Sequence, residues 1–137
     1  MTRISLKCKC GAVEGSISNV SPKVGNHIVC YCSDCQAFAN YISMDDGILD
    51  AWGGTRIYQT APWNISIDTG VENLRCLRLT PKGLYRWYTA CCNTPVGNNI
   101  SAKLPFMGVI HSFFDQDEQG DPKLGPVRGY YKLESAK

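Results

Sequence analysis

Seven of the eight cysteines fall into three tight groups: Cys8 and Cys10, then Cys30, Cys32 and Cys35, then Cys91 and Cys92. Only Cys76 stands alone. Two side chains on a C-x-C turn rarely meet the geometry of a disulfide, whereas two thiolates on one turn readily share a tetrahedral metal ion. The chemistry expected is therefore zinc ligation. A closed structural zinc takes four ligands, and a reactive one keeps three protein ligands and an open position. Seven divides as four plus three. Cys30, Cys32 and Cys35 lie close enough in sequence to reach one ion and form the candidate catalytic centre. Cys8, Cys10, Cys91 and Cys92 come from two distant knuckles, which a shared metal would staple together.

Other chemistry is sparsely represented. His27 and His111 are the only histidines, so a His-rich hydrolytic zinc centre is not available. His27 is either a half-exposed strand residue or a proton carrier beside Cys30. Asp34, inside the middle cysteine group, reads as a hydrogen-bond acceptor or a solvated turn residue. No Ser-His-Asp pattern, phosphate-binding glycine loop or Walker motif occurs. Asp115, Asp117, Gly120 and Asp121 only faintly match a calcium loop, because the position that needs Glu holds Pro126. A solvated acidic loop is expected there.

The elements that must position the cysteines are mostly short strands. Thirteen glycines and seven prolines punctuate brief apolar stretches, which favours a mainly β protein with many turns. Ile4 and Leu6 alternate with polar neighbours up to Cys8, Cys10-Gly11 turns the chain, and Val13 to Ile17 returns it. A strand from His27 to Cys32 delivers the middle group. Ser33-x-x-Gln36 has the form of a capping box and predicts a short helix through about Tyr41, with Cys35 in its first turn. Trp63, Ile65 and Ile67 alternate as a half-buried strand. Leu74–Leu79 and Leu84–Thr89 flank a turn at Thr80-Pro81-Lys82-Gly83, which pairs Leu79 with Leu84 and sets Cys76 opposite Trp87. Cys76 is expected to pack there as a small core residue.

Composition bounds the rest. The 137 residues fit a single domain, 1–137, and 44% hydrophobic with 19% charged residues is ordinary for a folded protein. A net charge of +2 with no dense basic run argues against nucleic acid as partner. No apolar run reaches the ~18 residues of a membrane span. Met1 to Lys9 lacks the apolar stretch of a signal peptide, so a cytoplasmic protein is expected, where disulfides are uncommon and the Asn64 and Asn99 sequons go unused.

Three segments together resemble a known family. Leu6-Lys7-Cys8-Lys9-Cys10-Gly11-Ala12-Val13, Cys30-Tyr31-Cys32-Ser33-Asp34-Cys35-Gln36 and Cys92-Asn93-Thr94-Pro95-Val96-Gly97 are similar to the glutathione-dependent formaldehyde-activating enzyme and centromere protein V domain family. The likeness spans roughly residues 4–112. It implies a small, strongly bent, all-β, multi-sheet, zinc-stapled fold with one short helix after the middle cysteines. It also implies a structural zinc at Cys8, Cys10 and Cys92, and a second zinc with a free position at Cys30, Cys32 and Cys35. The implied activity is carbon–sulfur lyase chemistry, combining glutathione with formaldehyde, so that the partner is a small thiol adduct. One departure stands out: the family's other late ligand falls at Thr89, and this chain instead sets Cys91 beside Cys92. A locally altered loop is expected to bring Cys91 to the metal. Two other readings stand beside the enzyme. One is a non-enzymatic binding module that uses exposed aromatics such as Trp52, Trp63, Tyr130 and Tyr131. The other is a redox or metal-storage role for Cys91-Cys92 as a vicinal dithiol.

Overall fold

Along the first strand, Ile4 and Leu6 are buried while Ser5 and Lys7 are half-exposed, the period of two that puts one face on a core. The computed structural model describes residues 3–21, 23, 25–43, 53–79, 81, 83–100, 106–115 and 126–132. In it β1 (Ile4–Lys7) pairs antiparallel with β2 (Glu14–Ile17), Ile4 opposite Ile17 and Leu6 opposite Gly15. A later strand, β5 (Ile65–Thr69), adds to the other edge of β2 and completes a three-stranded sheet. A side chain at Gly15 would put its Cβ 2.0 Å from the Ser66 carbonyl oxygen, so only glycine lets these two strands approach.

The second sheet has seven strands. β3 (Asn26–Cys30), β4 (Thr55–Thr60), β6 (Leu74–Leu77), β7 (Tyr85–Thr89), β8 (Pro95–Asn99), β9 (Met107–Ile110) and β10 (Gly129–Tyr131) lie in the order β10-β3-β4-β9-β8-β7-β6. All its pairings are antiparallel except β10 with β3. Alternation along β4 and β9 divides the core. Tyr58 and Val109 face Ile4, Leu6, Ile17 and Phe113, towards the small sheet. Ile57 and Ile110 face the opposite way and meet Phe38, Ala39 and Ile42 of the helix α1 (Ser33–Ser43). The large sheet is thus covered on one face by the small sheet and on the other by the helix.

The all-β expectation with one helix after the middle cysteines therefore holds among the described residues. No described helix is long and apolar enough to cross a membrane. The Cys76–Trp87 pairing is as expected, and β6 and β7 run in that register. Several details differ. Cys76 is exposed rather than core, on β6, the last strand of its sheet. Trp63 is 76% exposed, because Pro62 starts a 3-10 turn and the strand begins only at Ile65. β3 ends at Cys30, two residues early, and leaves Cys32 at the mouth of the helix. Thr80, Lys82, Trp52, Asp117, Gly120 and Asp121 lie outside the described residues.

Candidate metal centre

The first knuckle is shaped by its backbone. Gly11 takes φ +82°, the left-handed region, and its N–H donates to the Cys8 carbonyl at 3.0 Å. The Cys8 and Val13 backbones join at 3.0 Å, and the Val13 N–H also donates to Cys8 Sγ at 3.3 Å. The late knuckle connects β7 to β8. Asn93 adopts φ +54°, and the Asn93 and Thr89 N–H groups donate to Thr89 and Thr94 carbonyls at 2.8 and 3.0 Å. This tight turn frees Cys91 and Cys92 from the alternation of a strand, so both side chains point the same way.

The two knuckles meet. Cys8 Sγ lies 3.7 Å from Cys10 Sγ and 3.8 Å from Cys91 Sγ, and Cys91 Sγ lies 3.9 Å from Cys92 Sγ. A tetrahedron of sulfurs about 2.3 Å from a zinc has edges of about 3.8 Å, so these separations fit a four-thiolate ion. All eight cysteines are free thiols. Cys8 is buried, and loss of hydration, the largest influence on it, raises its pKa. Burial also works against ionisation of Cys92, but donors from Thr89, Thr94 and the Cys10 N–H outweigh it and lower the thiol to about 6. Desolvation and the neighbouring Cys10 and Cys8 thiols push Cys91 up to about 12. Thr89 itself is fully buried, with Oγ1 3.4 Å from Cys92 Sγ and accepting from the Thr94 N–H at 3.0 Å.

The middle group gathers where β3 runs into α1. Cys30 ends the strand, Cys32 precedes the helix and Cys35 sits in its first turn. Ser33 was the expected cap, yet Cys32 occupies that place: its Sγ accepts the Cys35 N–H at 3.2 Å. Gln36 turns its side-chain amide to the Tyr31 carbonyl at 2.8 Å instead of closing a capping box. Cys35 Sγ donates to Cys30 Sγ at 3.4 Å, and the three sulfurs lie within 4.8 Å of one another. Cys30 and then Cys35 hydrogen bonds hold the Cys32 thiol down at about 2, while hydrogen bonds from Cys30 and Cys32, with burial, push Cys35 up. The bond to Cys32 raises Cys30.

Both groups therefore have the donors and spacing to hold a metal ion: Cys8, Cys10, Cys91 and Cys92 in one, Cys30, Cys32 and Cys35 in the other. Residues 1–132 match a family of unknown function, DUF6151. The chain belongs to that family. No curated protein matches this DUF6151 chain. Its fold is similar to the crystal structure of a Rhodobacter sphaeroides protein, a structural-genomics target, at 17% identity and a TM-score of 0.62. That match covers 93% of this chain and 99% of the other.

Among the single residues singled out in the sequence, Asp34 is exposed and solvated as expected, but it stands in the first turn of α1 rather than in a connecting turn. His27 is buried, not half-exposed, and Arg56 Nε donates to its Nε2 at 3.4 Å. By strand alternation it lies on the face of β3 opposite to Cys30, which removes it from the middle cysteines. Sequence reasoning passed over Arg86, whose Nη1 donates to Cys35 Sγ at 3.5 Å, and gave no role to the hydroxyls of Thr89 and Thr94, which flank Cys92 Sγ. The one signal for Arg86 is a charged residue amid Tyr85, Trp87 and Tyr88.

Proposed function

We propose that the chain is a cytoplasmic zinc protein with a closed structural site at Cys8, Cys10, Cys91 and Cys92 and a reactive site at Cys30, Cys32 and Cys35. The reactive site adds a small aldehyde to a thiol such as glutathione, or removes it, in the manner of a carbon–sulfur lyase. One observation carries this reading: among the described residues four thiols converge in one group, but only three in the other, with no fourth described Cys, His, Asp or Glu beside them. The resemblance of the cysteine motifs to the formaldehyde-activating family supports the same assignment.

Zinc held by the three cysteines would offer an open position that binds a substrate thiol and lowers its pKa. The chemistry balances without an oxidant or reductant. The sulfur lone pair forms a bond to the carbonyl carbon, the C=O electron pair moves to oxygen, and the proton lost by the thiol ends on that oxygen. Cleavage is the reverse. The chain's own residues fix the sulfurs: Cys30 through strand pairing with Thr55, Cys32 through the Cys35 amide, and Cys35 through its buried seat on the helix. Three thiolates donate much negative charge, which suits the site to thiol exchange rather than water activation.

Exchange spectroscopy by NMR on glutathione and formaldehyde tests the activity. The zinc-loaded protein is expected to speed interconversion with S-hydroxymethylglutathione, and Cys32→Ala to abolish the effect. An interconversion rate equal to buffer alone would refute it. A second reading, a zinc-structured binding module, draws on Tyr130 and Tyr131, both more than half exposed on the edge strand β10. It predicts that same null rate with both metals retained.

A further inference from the structure

Arg86, on β7, is 2% exposed and is the only buried Lys, Arg, Asp or Glu among the described residues. Removing a guanidinium from water is costly unless an anion faces it. Among the described residues, the groups around Arg86 offer no carboxylate. Nη1 donates to Cys35 Sγ at 3.5 Å, the guanidinium carbon lies 5.7 Å from the centre of the Phe38 ring, and Thr55, Asn98 and Ile110 border the same crevice. The anion that this arginine is built to meet is therefore a thiolate of the middle cysteine group.

Charge counting gives the arrangement a purpose. Three thiolates around a divalent ion leave one net negative charge, and a further thiolate entering as substrate would add another. A buried site with that excess holds its metal and its ligand poorly unless a cation sits beside it. We propose that Arg86 is the charge-balancing and positioning residue of the Cys30–Cys32–Cys35 centre. Its guanidinium holds Cys35 Sγ in place and offsets the negative charge of the three-thiolate metal site. This inference rests on the reading of those cysteines as a metal site.

The test is zinc affinity, measured on the full chain by competition with a chromophoric chelator, for wild type, Arg86→Met and Arg86→Lys. Two classes of zinc are expected in the wild type, one from each cysteine group. Arg86→Met should keep the zinc at Cys8, Cys10, Cys91 and Cys92 and weaken the other by about 10- to 100-fold. Arg86→Lys keeps the charge and should recover most of the loss, which a purely packing role would not allow. Equal affinity in wild type and Arg86→Met overturns the proposal, and so does an Arg86→Lys protein as weak as Arg86→Met. If Arg86→Met does not fold, Arg86→Lys decides alone: a retained second zinc supports the proposal and a lost one overturns it. If neither variant folds, Arg86 belongs to the core and the proposal fails. A wild-type protein with no second zinc would instead refute the metal reading on which it rests.

Discussion

The backbone amide of Cys35 donates to Cys32 Sγ at 3.2 Å, so a candidate metal ligand also caps the helix that carries its neighbour. The cap and the ligand set are coupled through one sulfur. A hydroxyl can replace sulfur in the cap but is a poor zinc ligand. Cys32→Ser and Cys32→Ala should both lose metal from the middle site. Cys32→Ala alone should also lose about 1 kcal/mol of stability to urea from the missing cap. Equal stability of the two variants would show that the sulfur–amide contact contributes nothing to the helix.

Removing a ligand from the other group should act on the whole fold. Cys8 ties β1 to the late knuckle through Cys91 and lies in the main core. A structural zinc contributes on the order of 10 kcal/mol, comparable with the entire stability of a small domain. Cys8→Ala and Cys10→Ala should therefore give little folded protein, while Cys32→Ala stays folded. Solubility and circular dichroism of the variants check this. Equal unfolding from both groups would make both sites structural.

Much of this arrangement is legible in the sequence. The clustering of Cys8, Cys10, Cys91 and Cys92 follows from spacing alone, since short knuckles leave a metal as their natural partner. The β1–β2 hairpin and the Cys76–Trp87 register follow from alternation and turn residues. What alternation cannot say is which face finds a cover. Cys76 and Trp87 pair as expected, yet Cys76 is exposed on the outer strand β6 while its partner Trp87 packs against the main core. Nor does a strand pattern reveal that Arg86, two residues from Tyr88 and Leu84, points at a sulfur on a helix 51 positions away. That contact is set by the packing of α1 on the sheet, a long-range event.

The late knuckle offers a ligand exchange. Position 89 already reaches the cluster, because Thr89 Oγ1 is 3.4 Å from Cys92 Sγ. Cys91→Ser should lose tightly held zinc, and adding Thr89→Cys should restore it. Zinc content after dialysis measures both. Full zinc in Cys91→Ser would remove Cys91 from the ligand set, and absence of rescue would place residue 89 out of reach.

Cys76 provides a control thiol. With seven cysteines held by metal, it should be the single site alkylated in the zinc-loaded chain. Desolvation, the largest influence, raises its pKa above the ordinary cysteine value, so its thiolate fraction is small at neutral pH. The alkylation rate should therefore still be climbing where an ordinary thiol has levelled off. Rapid modification at neutral pH, or of a second residue, would contradict this assignment.

Elemental analysis of the purified full chain, paired with its thermal melt before and after chelation, tests the metal reading most directly. Two zinc ions per chain are predicted, with a large fall in melting temperature when the more tightly held ion at Cys8, Cys10, Cys91 and Cys92 is removed. A metal-free protein with all its thiols freely titratable, and a melt that chelation leaves unchanged, would contradict the account.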